Sequence, residues 1–147
     1  PDVYPAGTDL EIGKAVEHGT GSDLTLIATG SMVHPALRAA AALTADGYDV
    51  GMLDMHTVKP LDEEAVLTAA RRSRLLMTVE EHNVLGGLGG AVAELISEHG
   101  VPVRLHRHGI RDQYSLIGPP TQLYGHYRLD APGVEAEARE LLRTQGR

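Results

Sequence analysis

Leu24-Thr25-Leu26-Ile27-Ala28-Thr29 is a short, nearly continuous apolar run, and Gly30-Ser31 follows it directly. A run this short, bounded by turn residues, reads as a strand buried on both faces, as in a parallel sheet. The pattern then changes. Ala36, Ala39, Ala40, Ala41 and Ala42 are strong helix formers, and Pro35 suits only a first turn. The spacing predicts a helix over 33–44, with Ser31 as its N-cap and Gly47 past its end.

Working outward, the strand-then-helix order recurs. Residues 50–55 predict a second strand. Asp62, followed by Glu63 and Glu64, marks the start of a helix that runs to about 72. Residues 75–79 form a third apolar run. Gly86-Gly87-Leu88-Gly89-Gly90 opens a helix over 91–99, and 101–106 predict a further strand. The stretch from Gly109 to Gly125, with Pro119-Pro120 inside it, reads as a long loop. A last amphipathic helix is expected over 134–143, with Val134, Ala138, Leu141 and Leu142 on one face. Upstream, 11–16 alternate weakly, as in a short edge strand, and 18–22 read as a turn. Residues 1–10 read as an extended linker. The alternation predicts a parallel sheet covered by helices on both faces.

At 147 residues the chain suits one domain. It has five Tyr and no Phe, Trp or Cys. The core must come from Ala, Val, Leu, Ile and Met. The lack of Cys excludes disulfides, iron–sulfur clusters, thiolate zinc sites and a Cys nucleophile. A net charge of −7 lacks the basic footprint of a nucleic-acid or anionic-membrane partner. No apolar run is long enough for a membrane span, and no signal peptide opens the chain. A cytoplasmic module is expected. Pro1 in place of Met suggests a processed, cut or designed fragment.

Three groups could carry chemistry. The Gly86–Gly90 loop follows a strand and opens a helix, where phosphate-binding loops sit. It lacks the last glycine of the dinucleotide fingerprint, and no Gly-Lys-Ser/Thr is present. Tight turning and close packing at an interface explain the glycines equally well. Glu80-Glu81-His82 ends the third buried strand, where binding groups of open α/β sheets concentrate. A carboxylate beside an imidazole suits acid–base work or hydrogen bonding across a subunit contact. No second His nearby offers a metal-ligand spacing, so no metal is assigned. His106 and His108 share one face of a strand and read as solvated or interfacial. Ser31 and Ser115 lack a nucleophile elbow. These residues support a small α/β module with a partner surface and no complete active site.

Five segments together resemble the C-terminal domain of the transketolase family. They are 23–33, Met55-His56-Thr57-Val58-Lys59-Pro60-Leu61-Asp62, Thr78-Val79-Glu80-Glu81-His82 with Gly86-Gly87-Leu88-Gly89, Gly109-Ile110-Arg111-Asp112-Gln113-Tyr114, and Tyr127-Arg128-Leu129-Asp130. The resemblance covers about 10–143. It implies a three-layer αβα fold with a mostly parallel sheet of about five strands and one antiparallel edge strand. It divides the chain into a linker at 1–10, leaving a missing pyrimidine-binding domain, and a domain at 11–147. The implied function is dimer or hetero-oligomer assembly in a thiamine-diphosphate and Mg²⁺ enzyme that moves a two-carbon ketol unit between sugar phosphates. The cofactor and metal would be held by the missing domains or subunits, not by this chain alone.

Carried over by position, Glu80, Glu81, His82, Gly86, Gly87, Gly89 and Gly90 match a loop near the family's subunit interface. Asp112 and Tyr114 match the loop after the last core strand. His126 precedes the last helix and is a catalytic candidate, against a surface or capping role. Two rival readings remain open. One is the matching domain of a 2-oxo acid dehydrogenase beta subunit. The other is an anion- or nucleotide-binding regulatory module built on the Gly86–Gly90 helix start.

Overall fold

The computed structural model describes residues 2–145. Pro1, Gly146 and Arg147, which the expected linker and domain take in, lie outside the described residues. Five strands form one sheet: β1 (Val16–Gly19), β2 (Leu24–Ala28), β3 (Val50–Asp54), β4 (Leu75–Asn83) and β5 (Arg104–Ile110). Their order across the sheet is β1-β3-β2-β4-β5. β1 is antiparallel to β3 at the edge, and every other pairing is parallel. The helices are α1 (Val33–Ala45), α2 (Glu63–Arg72), α3 (Leu88–Glu98), α4 (Pro120–His126) and α5 (Ala131–Gln145). This is the expected three-layer fold, with one antiparallel edge strand.

The central strand shows why the layers form. All five residues of β2 are buried, and its side chains alternate between two cores. Leu24, Leu26 and Ala28 pack with α1 and α5, among Leu43, Met77, Val134 and Ala138. Ile27 points the other way, into α2 and α3, among Leu53, Val66, Leu76 and Val92. Each buried Leu, Ile, Val or Met side chain among them contributes about 1.5–3 kcal/mol. Thr25 also faces the interior, and it is satisfied by a hydroxyl relay. Ser73 donates to the Gly21 carbonyl at 2.6 Å, which leaves its oxygen to accept from Thr25 at 2.7 Å.

Several boundaries differ from the sequence reading. The edge strand lies at Val16–Gly19, not 11–16, because Val16 and Glu17 pair with Asp54 and Leu53. Upstream, Lys14 donates to the Glu11 carbonyl in a turn, and Gly13 takes a positive φ of 83°. The expected turn at 18–22 therefore begins only after Gly19.

Ser31 does not cap α1. It lies in a short 3₁₀ turn, Gly30–Met32, where the Met32 amide bonds to the Thr29 carbonyl, and Met32 takes the N-cap position. Asp62 caps α2 as expected, accepting the Ala65 amide at 3.1 Å.

β5 begins at Arg104 rather than 101, because Val101 closes α3 through a bond to the Ile96 carbonyl. The long loop at 109–125 contains strand residues through Ile110 and then α4, which has Pro120 in its first turn. α3 starts earlier than expected, at Leu88, and α5 runs longer, over Ala131–Gln145.

Candidate functional site

β3 and β4 pair with opposite edges of β2, so the sheet grows in both directions from it. The gap beyond the C-terminal ends of β2 and β4 is a topological switch point, where open α/β sheets place their sites. A cleft of about 320 Å³ lies there, lined by Thr29, Gly30, Ser31, Glu80, Glu81 and His82, among others.

Glu80 is the buried member of that group, at 1% exposure. Its carboxylate turns inward to the start of α3. Oε2 accepts the Leu88 amide at 2.7 Å and Oε1 accepts the Gly89 amide at 2.8 Å. These are first-turn amides with no partner inside the helix. The helix dipole adds to the attraction, and a buried carboxylate needs such donors to be tolerated. The position that a bound anion would take at this helix start is therefore filled from within the chain.

The glycines explain the fit. A β-carbon on Gly87 would overlap the Glu80 carboxylate. One on Gly89 would sit 2.8 Å from Arg107 Cγ and 2.9 Å from Thr78 Oγ1. Gly86 adopts a φ of 80°, whereas a β-carbon on Gly90 would meet open space. Three of the four glycines are thus explained by turning and close packing.

Glu81 and His82 face outward from the same strand end. Tyr124 of α4 donates its hydroxyl to Glu81. That bond, with burial adding to it, raises the tyrosine pKa. His82 Nδ1 donates to the Asn83 carbonyl at 2.7 Å. Asn83 in turn donates to Asp112 at 3.2 Å, which ties the following loop back to β4. Tyr114 is fully exposed, as is Ile117, with Leu116 half exposed between them. His126 is exposed at the end of α4, its ring edge-on to Tyr127 at 4.8 Å between centroids. The switch point thus brings Glu80, Glu81, His82 and Gly87 together. Asp112 joins them through Asn83.

A second cluster escaped sequence reading. His106 and His108 are not solvated. His108 is 7% exposed and His106 is half-buried, both against α5. His106 Nε2 lies 3.1 Å from Glu137 Oε1, and Arg128 Nη1 lies 3.0 Å from Oε2. His108 Nε2 donates to the Arg128 carbonyl at 2.7 Å. Burial lowers both imidazole pKa values, with Glu137 opposing the shift. Period-2 spacing placed the two histidines on one face, but Glu137 arrives from a distant helix. No local signal announced it.

Comparison with known proteins accords with this architecture. Residues 13–134 match the transketolase C-terminal domain family. The chain is 41% identical over 145 residues to an apulose-4-phosphate transketolase subunit of Phocaeicola vulgatus, covering 97% of this chain and 46% of that protein. It is 42% identical over 135 residues to 1-deoxy-D-xylulose-5-phosphate synthase 1 of Geobacter metallireducens, covering 91% of this chain and 22% of that protein. A solved split-gene transketolase, described as an inactive beta4 tetramer, superposes with a TM-score of 0.88 at 36% identity, over 97% of this chain and 46% of its own. The chain thus spans less than half the length of these relatives. With the match over residues 13–134 and 41% identity across nearly its whole length, the chain belongs to the transketolase C-terminal domain family.

Proposed function

We propose that this chain is the C-terminal assembly part of a thiamine-diphosphate-dependent transketolase that transfers a two-carbon ketol unit between sugar phosphates. The carrying observation is the match to the apulose-4-phosphate transketolase subunit along 97% of the chain, with under half of that protein covered. The split-gene relative, described as an inactive tetramer of its beta chains, supports a half-enzyme that needs a partner. In this reading residues 1–10 are the linker from a pyrimidine-binding domain and 11–147 are the assembly domain. The setting that goes with it is cytoplasmic. Among the described residues no helix is long and apolar enough to cross a membrane.

The residues do not fit thiamine diphosphate. The helix-start amides that could face a diphosphate hold Glu80 instead. The His106, His108 and Glu137 cluster offers two imidazoles, where a diphosphate-bound Mg²⁺ takes oxygen donors. No catalytic step is therefore assigned to this chain. Its contribution is positional. The Glu80 cap, the Asn83–Asp112 tie and the Tyr124–Glu81 bond hold one end of the sheet as a surface for the cofactor-binding parts. Glu81, His82 and Tyr114 are its proposed contact groups.

A second reading, the same domain of a 1-deoxyxylulose-5-phosphate synthase, draws on the 42% identity to that enzyme. Identifying the chain that purifies tightly bound to this one separates the readings. A partner that binds thiamine diphosphate and supports ketol transfer to an aldose phosphate is expected. A partner with which this chain forms 1-deoxyxylulose 5-phosphate favours the second reading, and a lipoyl acyltransferase overturns both.

A further inference from the structure

β5 and α5 bring three metal-ligating side chains to one point outside the switch-point cleft. His106 and His108 project from the same face of β5, their ring centroids 6.2 Å apart and their planes inclined by 29°. Glu137 meets them from α5. One donor atom from each residue lies within 4.8 Å of the other two.

The contact between His106 and Glu137 is informative. Nε2 and Oε1 are 3.1 Å apart, yet the direction is wrong for a hydrogen bond, and among the described residues buried Nε2 has no other partner. Two donor atoms side by side, neither aimed at the other, can share a third atom. Ligands at about 2.0–2.1 Å around a tetrahedral ion are separated by about 3.3 Å. The His106–Glu137 spacing is already close to that edge. No separation in the trio exceeds 4.8 Å, so the widest has to close by no more than about 1.5 Å to match it.

We propose that His106, His108 and Glu137 form a binding site for a divalent transition ion of intermediate softness, such as Zn²⁺ or Co²⁺. Two imidazoles and one carboxylate favour such ions over Mg²⁺ or Ca²⁺. The neighbours supply the outer support that metal ligands need. The Arg128 carbonyl accepts the His108 Nε2 proton, which leaves the lone pair of the neutral ring on Nδ1. The Arg128 guanidinium holds Glu137 Oε2 and leaves Oε1 as a single donor. The same guanidinium opposes an added cation, so it limits the affinity. The ion would clip β5, the edge strand on this side, to α5.

The test is Co²⁺ titration of the chelator-stripped chain. One equivalent is expected to give visible d–d absorption. Saturating Zn²⁺, at about 100 times its Kd, is expected to raise Tm by roughly 5–10 °C. The H106A/H108A variant should lose the absorption. If the double variant fails to fold, imidazole ¹⁵N resonances of the unaltered chain decide, since His106 and His108 must shift on Zn²⁺ addition ahead of the other histidines. No absorption, absorption that survives in the double variant, or shifts confined to other histidines overturns the proposal. The three side chains are then held only through Arg128, by its carbonyl on His108 and its guanidinium on Glu137. This outcome is independent of the transketolase reading.

Discussion

Glu80 and Gly87 exclude each other's alternatives: the Glu80 carboxylate occupies the space that a β-carbon on Gly87 would need. Through that vacancy Glu80 reaches the Leu88 and Gly89 amides and anchors α3 to the end of β4. Glu80→Ala leaves two buried amides without acceptors. It is expected to cost on the order of 2–4 kcal/mol, and Gly87→Ala should destabilise as well. Urea denaturation of the purified chain measures both. Unchanged midpoints in both variants would contradict the cap.

Ser73 is the relay point between Thr25 and the Gly21 carbonyl. Ser73→Ala strands one hydroxyl and one carbonyl in the interior, at an expected cost of about 1–3 kcal/mol. The same denaturation measurement checks it. A loss below about 0.5 kcal/mol would place water or another donor in the gap.

The strand frame was legible because its cause is local. Leu24 to Ala28 and Leu75 to Val79 are apolar runs bounded by turn residues, and they form the centre of the sheet. The Asp62 cap was equally readable. Ser31 was not, because a 3₁₀ turn inserted Met32 at the cap position. α4 was hidden by Pro119-Pro120, which read as a loop although proline suits a helix start. The sequence places Glu80 at the strand end, but its inward turn depends on the β4–α3 geometry. The burial of His106 depends on Glu137 of α5, which no local pattern connects to β5.

Acid stability should depend on the carboxylate bonds that tie together the N-terminal starts of the parallel strands β2 and β3. Asp23 accepts the Asp49 amide, and Asp49 accepts the Ser22 amide and hydroxyl. Those bonds, with Arg74 also holding Asp23, lower both carboxyl pKa values in the folded chain. Lowered folded values mean that the stabilisation is complete above the usual carboxylate pKa of about 3.9 and fades as pH falls through the folded values. Asp23→Asn should flatten the stability curve between about pH 5 and 2. Thermal melts across that range check the slope, and an identical slope in the variant would contradict it.

The exposed apolar tip at Tyr114, Leu116 and Ile117 belongs to the proposed partner surface. Tyr114→Ser with Ile117→Ser should leave the isolated chain within about 0.5 kcal/mol of its stability. Binding to the cofactor-binding chains should weaken at least tenfold, as expected of central interface anchors. Calorimetric titration gives the affinity. Unaltered binding would move the interface elsewhere.

The most direct measurement of the central claim is a dropout assay. The chains bearing the thiamine-diphosphate and pyrimidine domains are assayed for ketol transfer with and without this chain. Transfer is expected only when it is present, with turnover following its stoichiometric addition. Equal turnover in its absence would contradict the claim.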